Sequence, residues 1–140
     1  MAIPRQPGFD LSSTYLHLAD GGGGAPIEVT PTFWQELTSG DLTSEDVRRV
    51  ATVDGWLVTR FHITADTAHW EMHPAGDEFL YMLSGASDIV LQEQGGERVV
   101  ELRPGTVCKV PRGAWHRLVL REPGDLMGIT YGKGTQHRPL

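Results

Sequence analysis

From Gly55 onward the chain breaks into short stretches of β-branched, aromatic and aliphatic residues, each closed by residues suited to turns. Strand candidates fall at 55–63, 69–73, 78–83, 87–92, 98–102, 106–110, 115–120 and 126–131. Between them stand Pro74-Ala75-Gly76-Asp77, Gly95-Gly96, Arg103-Pro104-Gly105 and Pro123-Gly124-Asp125. Eight short strands with turn chemistry at the breaks predict an all-β sandwich or barrel. No long helical pattern separates the strands, which argues against a parallel α/β sheet. A chain of 140 residues is one domain's worth.

The first third reads differently. Residues 1–26 carry Pro4, Pro7, the run Gly21-Gly22-Gly23-Gly24 and Pro26, and read as an extended arm and loop. Thr30-Pro31 predicts a helix start with Thr30 as N-cap, running through residues 33–37 and stopping near Gly40. A second start at Thr43, followed by Ser44, Glu45 and Asp46, puts acids in a first turn and Val47 and Val50 on one face as far as Val53. Residues 1–54 thus form an arm with two short helices, and 55–140 form the barrel, in one structural domain. An extended arm is a common cover for a neighbour's open sheet edge, so a homodimer with residues 1–18 at its interface is expected.

Several function classes are disfavoured. The longest apolar run, residues 79–83, is too short for a bilayer. The N-terminus lacks the apolar stretch of a signal peptide. A lone Cys108 makes no internal disulfide and fits a reducing compartment, so a cytoplasmic location is expected. A net charge of −6 argues against nucleic acid as partner. The charge is uneven, with acids crowded into 71–102 and bases into 103–140, as expected for segments that pair across a folded sheet.

The chemistry concentrates in Trp70-Glu71-Met72-His73-Pro74-Ala75-Gly76-Asp77-Glu78. Residues two apart on a strand share a face, so Glu71 and His73 project together. The turn at 74–77 then returns Glu78 beside them. Farther along, Pro111-Arg112-Gly113-Ala114-Trp115-His116 sets a second histidine just after a turn. Two carboxylates and two imidazoles can form a divalent-metal site. By spacing alone, a solvated acidic strand end with structural histidines stands equally open.

These residues resemble the two signature motifs of the cupin superfamily. Glu71 stands at the first motif's first histidine position, followed in register by His73, Glu78 and Gly85. Gly105, Pro111, Gly113 and His116 match the second motif. Ala65 replaces the first motif's opening glycine and Leu120 the second's closing asparagine. The resemblance implies an all-β double-stranded β-helix, or jelly-roll barrel, holding one divalent metal. Cupins usually supply three histidines and a glutamate; here the implied ligands are Glu71, His73, Glu78 and His116. Such a donor set suits Zn, Fe, Mn or Ni and disfavours soft Cu(I). A small-molecule ligand is implied, with the reaction class open because cupins host many reactions. The expected function is a small metal-binding cupin acting on a small organic molecule. A non-catalytic ligand- or metal-sensing module and a structural barrel with a vestigial site are the alternatives.

Other side chains are read by parity. His69 shares a face with Glu71 and His73, and reads either as a strand-edge residue or as part of the same interior. Arg60 and His62 share a face that is expected to meet solvent; were it interior, it could receive an anion. Cys108 points inward as a small hydrophobe. Trp115 packs outside the pocket, and Trp34, Trp56 and Trp70 are core or interface residues. His137 belongs to a frayed tail, or folds over the barrel mouth.

Overall fold

Alternating burial along the strands turns this pattern into two facing antiparallel sheets. The computed structural model describes residues 7–39, 44–52 and 54–140. In chain order the elements are β1 (Thr14–Leu18), β2 (Gly24–Glu28), α1 (Phe33–Ser39), α2 (Glu45–Thr52), β3 (Trp56–Ile63), β4 (His69–Met72), β5 (Glu78–Met82), β6 (Ala86–Glu93), β7 (Gly96–Leu102), β8 (Val107–Val110), β9 (His116–Glu122), β10 (Gly124–Thr130) and β11 (Gln136–Pro139). One sheet has the order β2-β1-β3-β10-β5-β8, the other β11-β4-β9-β6-β7. All eight strands expected between 55 and 131 are present, each end within two residues of its expected place. The result is an all-β barrel of the jelly-roll type.

Between the sheets lies an apolar core that includes Ile63, Leu80, Met82, Ile89, Leu91, Leu102, Val110, Leu118 and Leu126. Cys108 is buried within it, as its parity predicts. Burial of the thiol and the nearby Glu78 charge push its pKa up to about 11, which leaves it an inert hydrophobe. The charge asymmetry resolves as expected. Arg121 meets Asp88 at 2.7 Å, Arg103 meets it at 3.5 Å, and Lys109 lies 3.7 Å from Asp77.

The N-terminal third corrects the expectation of an extended arm. Residues 14–18 and 24–28 form a hairpin whose inner strand, β1, pairs with β3 of its own chain. The glycine run is the hairpin's loop: Ala19 N–H donates to Gly23 O at 2.7 Å and Gly22 N–H to Ala19 O at 3.0 Å. Strand β1 is therefore paired on both edges within its own sheet. Tyr15 and Ile27 from the hairpin join Phe33, Val47 and Leu57 in a second apolar cluster that anchors both helices.

Helix α1 begins at Phe33, later than expected, because Pro31 and Thr32 form a turn in which Phe33 N–H donates to Thr30 O. For α2 the cap is Ser44, whose Oγ accepts from Val47 N–H at 3.1 Å. The expected start at Thr43, the stop at Gly40 and the end at Val53 lie outside the described residues. Among the described residues no helix is long and apolar enough to cross a membrane.

Only Pro123 separates β9 from β10, and a Cβ on Gly124 would overlap the backbone of Ser84. Backbone cannot rotate aside as a side chain can. Gly124→Ala should therefore cost about 3 kcal/mol, the upper range for overpacking, read as a melting temperature lowered by about 10 °C. An unchanged melt would show that the β9–β10 corner yields.

Candidate metal centre

The strand register builds the site. Across β11, β4 and β9, His137, Glu71 and His116 stand side by side on neighbouring strands. His73 follows directly after β4, and Glu78 opens β5 in the facing sheet. The structure thus brings Glu71, His73, Glu78 and His116 together, with one potential ligand atom from each all within 4.8 Å of one another. His73 Nε2 lies 3.1 Å from Glu71 Oε1 and 3.3 Å from Glu78 Oε2. His116 Nε2 lies 3.0 Å from Glu78 Oε1 and 3.6 Å from Glu71 Oε1.

Local turns hold these positions. Gly113 sits at φ +81° in the turn before His116, a left-handed conformation that suits glycine. Its N–H donates to His73 O at 3.0 Å, which ties the second histidine's turn to the first histidine. Arg112 N–H donates to Asp77 Oδ1 at 2.8 Å and braces the 74–77 turn.

His73, Glu78 and His116 are buried, whereas the Glu71 side chain keeps about a third of its surface (35%) exposed. Each imidazole hydrogen-bonds through Nδ1, His73 to Thr135 Oγ1 at 2.7 Å and His116 to Ala114 O at 3.2 Å. Both therefore turn Nε2 toward the carboxylates. Burial lowers the histidine pKa values, but the facing carboxylates of Glu71 and Glu78 more than reverse it. His73 is pushed up to about 9 and His116 to about 10. Burial raises Glu78, yet His116 and His73 hold it down to about 2. Glu71 is also raised by burial and then pulled well below its ordinary value by the facing imidazoles of His116, His137 and His73. Thr130 donates to Glu78 Oε2 at 2.5 Å and uses part of that oxygen's capacity.

One atom tests the fit of a metal ion. His73 Nε2 is buried and has no hydrogen-bond partner of acceptable geometry, although acceptor oxygens surround it. A buried imidazole nitrogen held 3.1 and 3.3 Å from two carboxylates without a well-aligned hydrogen bond to either is placed to share a cation with them. Beside the cluster opens a cavity of about 370 Å³. Phe61, Ile63, Leu80, Ile89, Leu118 and Leu126 form its apolar wall, and Glu71, Glu78 and His116 reach into it.

The remaining candidates sort cleanly. His69 lines this cavity, so its interior reading holds. Arg60 is part-buried, His62 is exposed at the rim of the cavity, and both hold Asp125 at 2.8 Å. Their side chains are paired with that carboxylate. Trp115 carries the Arg138 guanidinium over its ring at 4.4 Å, on the outer face. Trp70 is buried, and Trp56 packs on Tyr131. His137 is not in a frayed tail: β11 pairs with β4, and His137 Nε2 lies 2.9 Å from Glu71 Oε2. Thr135 and Thr130, both touching the cluster, went unnoticed in the sequence. The only signal for Thr135 was the Gly132-Lys133-Gly134 turn before it.

An antiparallel jelly-roll barrel that gathers two imidazoles and two carboxylates beside an open cavity defines a class of small β-barrel with a candidate metal-binding cluster. The chain belongs to the cupin domain family, whose model matches residues 58–131. Among similar solved structures, one with a TM-score above 0.5 agrees in fold. Peruvianin-I, a cysteine peptidase from Thevetia peruviana latex, superposes with a TM-score of 0.52 at 17% identity, over 61% of this chain and 57% of its own. A cupin-2 domain containing protein from Shewanella frigidimarina aligns at 18% identity and TM-score 0.47, over 54% of this chain and 70% of its own. A Bacillus subtilis oxalate decarboxylase variant aligns at 20% identity and TM-score 0.49, over 66% of this chain and 25% of its own. Identities this low speak to fold alone. No curated protein sequence matches the chain.

Proposed function

We propose that Glu71, His73, Glu78 and His116 bind one divalent metal ion and that the protein acts on a small organic molecule held in the adjoining cavity. The observation that carries this reading is the buried His73 Nε2, which faces Glu71 and Glu78 at 3.1 and 3.3 Å without a well-aligned hydrogen bond, in a group whose four ligand atoms lie within 4.8 Å of one another. Mixed imidazole and carboxylate donors suit Mn²⁺, Fe²⁺, Zn²⁺ or Ni²⁺. When bound, such an ion would supply Lewis-acid polarisation of a ligand oxygen.

The chain's own residues then limit the ligand. Two ionised carboxylates balance the charge of a divalent ion, which leaves Arg117 as the cationic side chain lining the cavity. Apolar side chains, from Phe61 to Leu126, make up much of the cavity lining around it. A neutral carbon skeleton with one oxygen donor is the best match to that wall. Outside the cluster, His62, Thr64, Thr67, His69 and Arg117 also line the cavity and are the polar groups placed to orient such a donor.

Elemental analysis of protein purified without added metal or chelator should find about one divalent ion per chain. Mn²⁺ or Zn²⁺ at a hundred times its dissociation constant should add about 2.7 kcal/mol to stability, and a chelator should remove that gain. His73→Ala should abolish most of the difference. Identical melts with metal and with chelator would overturn the reading. Reversible binding of small carbonyl or phenolic compounds without turnover would move the function to a ligand-sensing module.

A further inference from the structure

We propose that residues 132–139 form a positioning strap, in which Thr135 and His137 orient His73 and Glu71 and so set the affinity and geometry of the metal centre. The inference rests on the metal-binding reading above.

Thr135 acts through hydrogen-bond polarity. Its Oγ1 donates its single proton to Gly132 O at 2.7 Å. Toward His73 Nδ1, also at 2.7 Å, that oxygen is left only to accept. The imidazole must therefore carry a proton on Nδ1, which leaves Nε2 as the ligating nitrogen facing Glu71 and Glu78. His116 receives the same instruction from a backbone carbonyl, Ala114 O. For His73 the acceptor is a side chain 62 positions away in the sequence, on a separate segment. Outer-shell acceptors of this kind fix the orientation and basicity of ligating histidines.

His137 acts on the exposed member of the cluster. Its Nε2–H donates to Glu71 Oε2 at 2.9 Å, while Glu71 Oε1 faces His73 Nε2 at 3.1 Å. The two carboxylate oxygens are thus divided, one to the strap and one to the centre. Without that outer bond, the partly exposed Glu71 would be free to turn toward water. The His137 ring is itself held edge-on against His69, with centroids 4.6 Å apart.

The strap has its own anchor. Arg138, next in sequence, projects to the opposite face of β11. Its guanidinium lies 4.4 Å from the Trp115 ring centroid and 5.5 Å from that of Trp70, and it donates to Gln92 Oε1. A four-residue edge strand is thereby fastened by stacking on one side and by the metal cluster on the other.

The test uses the full chain with Co²⁺ as a spectroscopic probe and Mn²⁺ in competition. Thr135→Val keeps the shape but cannot accept, whereas Thr135→Ser can. His137→Leu removes the donor, whereas His137→Gln presents an N–H at nearly the same place. Thr135→Val and His137→Leu should each weaken both ions by about tenfold to a hundredfold and alter the visible Co²⁺ spectrum. The Ser and Gln variants should restore affinity and spectrum to near wild type. Melts of the chelated variants report on folding, and either pair decides the matter alone if the other pair's apolar variant does not fold. Wild-type affinity and spectrum in the Val and Leu variants would overturn the strap while leaving the metal reading intact. No recovery in the Ser and Gln variants would also overturn it. A wild-type protein that takes up no Co²⁺ would remove both.

Discussion

Between about pH 6 and 8, the affinity for Mn²⁺ or Zn²⁺ should climb by about a hundredfold per pH unit. In the metal-free fold His73 and His116 titrate near 9 and 10, so both are protonated across this range. Glu78, near 2, and Glu71, well below its ordinary value, are already ionised and release nothing. Binding must displace one proton from each imidazole, and two displaced protons give a slope of two in logarithmic units. The metal-free fold has the opposite trend. Its raised histidines contribute stability that is full below their ordinary value of 6.5 and drains away as pH passes 9 and then 10. The depressed Glu78 contributes stability present above 4.5 and lost as pH falls toward 2. The gap between metal-loaded and chelated melting temperatures should accordingly widen with rising pH. Competition titrations at several pH values measure the slope; a pH-independent affinity would exclude the doubly protonated pair.

The same local chemistry explains what the sequence revealed and what it concealed. The eight central strands were legible because glycine and proline punctuate nearly every junction, and the spacing of Glu71, His73, Glu78 and His116 survived folding intact. The two strand regions that went unread, the β1–β2 hairpin and β11, each include a proline, Pro26 and Pro139. Proline argues against a strand wherever a ladder hydrogen bond is needed. Both prolines lie on edge strands, β2 and β11, where one side of the backbone has no partner. The glycine run reinforced the error by resembling a linker when it serves as a hairpin loop. Missing β11 concealed the site's outer layer. Gln136, His137 and Arg138 have little strand preference of their own, so only pairing with β4 orders them. Parity placed His69 on the correct face, but nothing local marked the histidine that would stack on it from the far end of the chain.

Glu71→His should turn the preference of the centre from Mn²⁺ toward Ni²⁺ and Zn²⁺, with relative affinities moving by at least about tenfold. The substitution exchanges a hard anionic donor for a neutral nitrogen donor on the same strand position, next to His116 in register. One negative charge is lost beside the ion, which penalises Mn²⁺ most because imidazole compensates it least. His137 complicates the exchange in an informative way. It now donates to Glu71 Oε2. A histidine at position 71 that ligates through one nitrogen carries a proton on the other, so two N–H groups would meet. His137 must then change tautomer and accept, which an imidazole can do and a permanently charged residue cannot. Glu71→Gln offers only a neutral amide oxygen, and should weaken every divalent ion by more than about a hundredfold, beyond the range for losing an outer-shell partner. Titrating Mn²⁺, Zn²⁺ and Ni²⁺ against one another on the three proteins reads both effects at once. Identical affinity ratios throughout would remove Glu71 from the ligand set and leave it as the carboxylate that holds β11 to the barrel.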